Sequence, residues 1–115
     1  MSAGKRLLEK DIEKQILQYL TIKGIFCWKN PTIGVYDAKR GTFRKPHSVF
    51  HIRGASDILG IYNGKFLAIE VKTPQRRRSV SEEQHAFMER VKEEGGIAFV
   101  ATSIEDVERE LNEVN

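Results

Sequence analysis

GASDILGIYNGKFLAIEVK, residues 54–72, decides how the rest of the chain is read. Two short apolar runs flank Asn63-Gly64, a dipeptide suited to the left-handed backbone of a tight hairpin turn. Side chains alternate faces along a strand, so Glu70 and Lys72 project to one side and Val71 to the other. Folding the hairpin at Asn63-Gly64 returns Asp57, which opens the first strand, to the neighbourhood of that pair. The expected result is two carboxylates and one ammonium converging at the end of a small sheet.

Working outward from the hairpin, the flanking segments supply the layers such a sheet needs. Leu8, Ile12, Ile16, Leu17 and Leu20 follow the spacing of an amphipathic helix, and Gly24 is a stop signal. GIFCWKN (24–30) reads as a strand closed by Pro31. In VYDAKRGTFRK (35–45) short apolar groups surround glycine and polar residues, giving either a hairpin turning near Arg40-Gly41 or a mobile loop. The run Phe66, Leu67, Ala68, Ile69 suits a strand covered on both faces, and Thr73-Pro74 ends it. Ser81 and Gln84 have the spacing of a capping box, and Ala86, Phe87, Met88 and Val91 give the helix that follows an apolar stripe ending at Gly95-Gly96. IAFVAT (97–102) reads as a strand. Ser103 then opens a last amphipathic helix through Ile104, Val107 and Leu111, with a capping box of its own, Ser103-x-x-Asp106. The order predicts one α/β domain over residues 1–115, a mixed central β-sheet flanked by α-helices.

The 115 residues allow one core, and 40% hydrophobic with 30% charged residues is ordinary for a soluble globular protein. No apolar run approaches the roughly 20 residues of a membrane span, and the N-terminus lacks a signal-peptide core, so no membrane partner is expected. A lone Cys27 excludes an internal disulfide and a cysteine-rich zinc site, and fits a cytoplasmic, reducing setting. Nineteen Lys and Arg against sixteen Asp and Glu leave a net charge of only +3, but the distribution is uneven. Lys39, Arg40, Arg44, Lys45 and Arg53 precede the hairpin with no acid among them, and Arg76, Arg77 and Arg78 follow it. Two basic clusters flanking a carboxylate pair point to a phosphate backbone as partner.

Hydrolysis of a phosphodiester needs an activated water, neutralisation of charge on the phosphate, and a stabilised leaving oxygen. A divalent ion held by carboxylates supplies all three, and Mg²⁺ takes few carboxylates alongside waters and substrate oxygens. Asp57 and Glu70 are the candidate ligands, with the Val71 backbone carbonyl well placed to help. Lys72 would orient the attacking water or stabilise developing negative charge. The competing reading has Asp57 capping a turn and Glu70 paired with Lys72 across solvent. Against it, unpaired charge at the end of an apolar strand is costly to bury.

GASDILGIYNGKFLAIEVKTPQ, the S-x-E-Q that follows and the later GGIAFVATS closely resemble the VRR-NUC (virus-type replication-repair nuclease) family of the PD-(D/E)xK superfamily. The likeness spans residues 8–111, as in a stand-alone phage or bacterial member, and the ordered set G-x-x-D, E-V-K-T and S-x-x-Q is more specific than D…ExK alone. Ser56 departs from the superfamily's Pro before the Asp, a residue that shapes backbone and binds no metal. The resemblance implies a restriction-endonuclease-like core, Asp57 and Glu70 as ligands for Mg²⁺ or Mn²⁺, and Lys72 as the catalytic lysine. It also implies a first-helix glutamate at the site, where Glu13 is the first choice and Glu9, one turn earlier on the same face, the competitor. Gln84 matches the family's glutamine on the helix after the catalytic strand, reaching toward the site or serving its capping box. Proteins of this kind resemble Holliday-junction resolvases, so the resemblance implies a DNA endonuclease acting on branched DNA as a homodimer.

The remaining candidates carry weaker signals. His47, His51 and His85 lack metal-ligand spacing. Phe26 and Trp28 are expected in the core, while Tyr36 and Phe43 are the better aromatic candidates for stacking on bases.

Overall fold

The Asn63-Gly64 turn forms as its chemistry dictates, with φ of 50° and 80° at its two central residues. It joins β4 (Ile58–Tyr62) to β5 (Lys65–Val71) in an antiparallel ladder that sets Ile58 opposite Ile69. The computed structural model describes residues 7–31, 35–37, 41–44 and 52–114. Around the hairpin run α1 (Glu9–Ile22), β1 (Phe26–Lys29), β2 (Val35–Asp37), β3 (Thr42–Arg44), α2 (Glu82–Glu93), β6 (Ile97–Ala101) and α3 (Ile104–Glu113). The main sheet has the order β1-β4-β5-β6, with β6 parallel to β5 and the other pairs antiparallel. A parallel neighbour needs a crossover, and α2 provides it. This is the mixed α/β arrangement expected from the sequence. Between Pro31 and Arg53 the hairpin alternative holds: β2 and β3 pair antiparallel, with Tyr36 opposite Phe43. Lys39, Arg40, Lys45, His47 and His51 lie outside the described residues.

The faces of the sheet follow from register. Ile58, Leu67, Ile69, Val71, Phe99 and Ala101 share one face with Ile12, Ile16 and Leu20 of α1 and Val107 and Leu111 of α3. Gly24, at φ 77°, terminates α1 by adopting a backbone that other residues avoid. On the opposite face Ala68 and Ala98 meet Met88 and Val91 of α2.

Four expectations need correction here. Phe26 and Trp28 are not core: they are 68% and 40% exposed. They lie on an edge strand whose inner face is occupied by α1, and nothing described covers the face they occupy. Phe66 is also exposed, so the doubly covered part of β5 begins at Leu67, and Ala86 of α2 lies in solvent. In α3, Ser103 Oγ accepts from the Asp106 N–H at 3.2 Å as expected, but the Asp106 carboxylate caps the Thr102 N–H at 2.8 Å instead of returning to Ser103. The box is thus only half formed.

Candidate active site

Asp57 precedes β4 and Glu70 lies near the end of β5, on adjacent strands. Asp57 Oδ2 accepts the Val71 N–H at 2.8 Å, which fixes its carboxylate beside the C-terminal end of β5. Glu70 is 2% exposed and Lys72 8% exposed. Lys72 continues the ladder past the end of β5, its N–H donating to the Ala101 carbonyl at 3.0 Å. That anchor holds its Nζ 3.9 Å from Glu70 Oε2. The three side chains meet, as the alternation along the hairpin requires.

Gln84 joins them, and its two suggested roles prove compatible. Its Oε1 accepts the Ser81 N–H at 3.0 Å and its own N–H donates to Ser81 Oγ at 3.0 Å, completing the capping box. Its Nε2 donates to Glu70 Oε2 at 3.1 Å. Gly54 allows this approach. It has φ 73°, and any Cβ there would overlap the backbone of Glu83 and Gln84, so the first turn of α2 rests directly on the Gly54 backbone.

The electrostatics are those of a crowded anionic site. Burial first, and then the adjacent Asp57 carboxyl, push the Glu70 carboxyl up to about 8, with Lys72 acting in the opposite direction. Glu70 Oε1 is buried with no hydrogen-bond partner. An orphaned carboxylate oxygen beside a second carboxylate is a donor set that fits a hard divalent cation. Among the described residues no group of three His, Cys, Asp or Glu gathers, so two carboxylates are what the side chains supply. The two candidates on α1 have different surroundings. Glu13 is 9% exposed but turned to Lys29, Oε1 to Nζ 3.2 Å. Glu9, not Glu13, adds its charge to those raising Glu70.

The basic candidates divide as well. Arg53, Arg76 and Arg78 are exposed, the first before and the other two after the carboxylates in the sequence. Arg77 is committed elsewhere: its guanidinium donates to Asp106 Oδ2 at 2.7 Å and Thr102 Oγ1 at 2.8 Å. This ties the 3-10 turn Pro74–Arg76 to the start of α3 and gives Arg77 partners within the fold. Arg44 lies on β3. His85 is exposed on α2, 3.8 Å from Glu89. Asn30 hydrogen-bonds the stretch before β4, through its N–H to the Asp57 carbonyl at 2.7 Å and its side chain to the Ser56 carbonyl at 3.2 Å. Its place at the end of the strand beside β4 was the available signal.

Residues 4–110 match the family model of RecU, Recombination protein U. The chain belongs to the RecU family. A curated relative, the Holliday junction resolvase RecU of Staphylococcus carnosus (strain TM300), is 32% identical over 102 residues, 81% of this chain and 49% of the relative. The RecU-family chain thus spans about half the length of the curated relative it matches. That family belongs to the PD-(D/E)xK superfamily, in agreement with the mixed sheet flanked by helices. Among the described residues no helix is long and apolar enough to cross a membrane.

Proposed function

We propose that this RecU-family chain is a divalent-metal-dependent DNA endonuclease, selective for branched DNA such as a four-way junction. One observation carries the reading: Asp57, Glu70, Lys72 and Gln84 converge at the end of β5, with a buried Glu70 oxygen left without a partner. The relative's name, a Holliday junction resolvase, supports the substrate class. The ordered G-x-x-D, E-V-K-T and S-x-x-Q set also supports kinship with VRR-NUC nucleases.

In this reading Asp57 and Glu70 hold Mg²⁺ or Mn²⁺, assisted by the Val71 carbonyl. Glu9 is better supported than Glu13 as the carboxylate contributed by α1. When bound, the ion supplies an activated water and neutralises charge on the phosphate. Gln84 holds Glu70 in one orientation through its amide N–H. Lys72, anchored by its backbone beside Ala101, directs its ammonium at the attacking water or the phosphate oxygens as charge builds. Arg53, Arg76 and Arg78 grip the flanking backbone, with Lys39, Arg40, Arg44 and Lys45 as further phosphate contacts. A homodimer suits two symmetric cuts in a junction.

The test is cleavage of labelled four-way junction, flap and linear duplex with Mg²⁺, Mn²⁺ or EDTA, with Glu70→Ala alongside. We expect metal-dependent cutting of the branched substrates, reduced at least about 100-fold in the variant. Binding without cutting under every metal condition would instead indicate a module that keeps the nuclease fold without its chemistry.

A further inference from the structure

Lys72 leaves β5, and Arg77 lies five residues further along the same segment. The Lys72 ammonium is 3.9 Å from Glu70 Oε2, beyond hydrogen-bond range, so it takes its place from the backbone that bears it. That backbone is tied to β6 by the Lys72 N–H on the Ala101 carbonyl at 3.0 Å. Arg77 returns to the next residue of the same strand end. Its guanidinium donates to Thr102 Oγ1 at 2.8 Å and to Asp106 Oδ2 at 2.7 Å. The same Asp106 oxygen accepts the Thr102 N–H at 2.8 Å and the Thr102 hydroxyl at 2.9 Å. A ring is thereby closed, from Lys72 through the turn Pro74–Arg76 to Arg77, Thr102, Ala101 and back to Lys72. Inside it the Arg76 N–H donates to the Thr73 carbonyl at 2.9 Å, which leaves the turn little slack.

We propose that Arg77 is a positioning residue for Lys72: by fastening the far end of this ring to Thr102 and Asp106, it fixes the backbone from which the ammonium is aimed. Its partner is a rigid post. The Asp106 side chain is 6% exposed and that of Arg77 46%, and the Arg109 guanidinium donates to Asp106 Oδ1 at 2.7 Å. With Arg109 and Thr102 in place, removing Arg77 leaves the buried carboxylate paired, so the loss stays local to the ring. A side chain aimed at a reacting group tolerates little displacement, since about 1 Å of misplacement can cost up to about 100-fold in rate. The ring also sets Arg77 apart from Arg76 and Arg78, which are exposed and proposed to hold phosphates. A guanidinium already donating to a buried carboxylate has less to offer a phosphate. This inference rests on the catalytic role proposed for Lys72, and its test includes a measurement that needs no cleavage.

The experiment is Arg77→Ala in the wild-type and Lys72→Ala chains, with Arg76→Ala alongside and circular dichroism to check folding. At saturating four-way junction and Mg²⁺, Arg77→Ala should lower kcat at least about 10-fold, with KM within about twofold of wild type and the salt slope of binding unchanged. In the Lys72→Ala chain the same substitution should change the residual rate less than about twofold, because its target is already gone. Arg76→Ala should instead weaken binding and reduce the log–log salt slope by about 1. In the metal-free protein, Arg77→Ala should speed hydrogen exchange at the Lys72 amide at least about 10-fold while the Leu67 and Ile69 amides keep their protection. Should Arg77→Ala misfold, Arg77→Gln is read in the same way. Equal losses of rate in both backgrounds would make Arg77 a general prop of the fold. A raised KM with a lowered salt slope would make it a phosphate contact. Either overturns the proposal, as does an unchanged Lys72 amide. If no metal supports cleavage by wild type, the nuclease reading fails and the amide exchange decides whether Arg77 holds this backbone; wild-type cleavage that Arg77→Ala leaves unaltered would do the reverse.

Discussion

At the scale of single residues, Lys72 and Gly54 separate chemistry from scaffolding. Lys72 is 8% exposed and its backbone is tied to β6, so its ammonium is held close to Glu70 with little freedom. Lys72→Ala should leave junction binding within about threefold of wild type while slowing cleavage at least about 100-fold. Binding lost before cleavage would make Lys72 a phosphate contact instead. At Gly54 an added methyl group meets the backbone of Glu83 and Gln84 in a left-handed conformation. Gly54→Ala should destabilise the fold by about 2 kcal/mol and lower cleavage along with it, as read by denaturant melts beside the nuclease assay. A variant as stable as wild type would show that α2 does not rest on that backbone. Asp57, Glu70 and Lys72 were legible in the sequence because strand alternation and a two-residue turn are local rules. The pairing of Glu13 with Lys29 was not, since it depends on how α1 settles against the sheet.

At the scale of elements, the junction between β6 and α3 depends on Asp106. Burial alone would raise its carboxyl, but hydrogen bonds from Thr102 and Arg109 and the charge of Arg77 outweigh it and lower it to about 2. A carboxyl lowered in the folded state stabilises the fold fully above its ordinary value near 3.8, and the contribution disappears as pH falls through about 2. Its size is on the order of 1 kcal/mol after solvent screening. Asp106→Asn should therefore lower the melting temperature by about 5 °C at neutral pH, with the gap to wild type closing between pH 4 and 2. A gap independent of pH would assign the loss to packing. The Ser103 cap could be read ahead because it spans three residues. Arg77 could not, because its partners Thr102 and Asp106 come from a distant part of the chain brought close by the β5–β6 crossover. Its place in a run of three arginines gave no sign of these partners.

At the scale of the molecule, charge and apolar surface fall in different places. Arg53, Arg76 and Arg78 are exposed and flank the carboxylates in the sequence, whereas the exposed positions Phe26, Trp28, Ile61 and Phe66 on one sheet face are uncharged. If those arginines touch phosphates, junction affinity should drop steeply with salt, and replacing one of them should reduce the log–log slope by about 1. A flat dependence would remove them from the DNA path. The mixed sheet and its order of helices could be inferred from periodicity and caps. The exposure of Phe26 and Trp28 could not, because whether an edge strand is covered depends on where distant helices settle, and an apolar residue reads alike in a core and at a contact surface. One amide has a wider reach than its size suggests. Gln84 fastens the beginning of a helix with one end and steadies a carboxylate with the other, so these are a single mechanical joint. Fraying of that first turn, the weakest point of any helix, would release Glu70 while the core is still intact, and warming would loosen the carboxylate pair well before the chain unfolds.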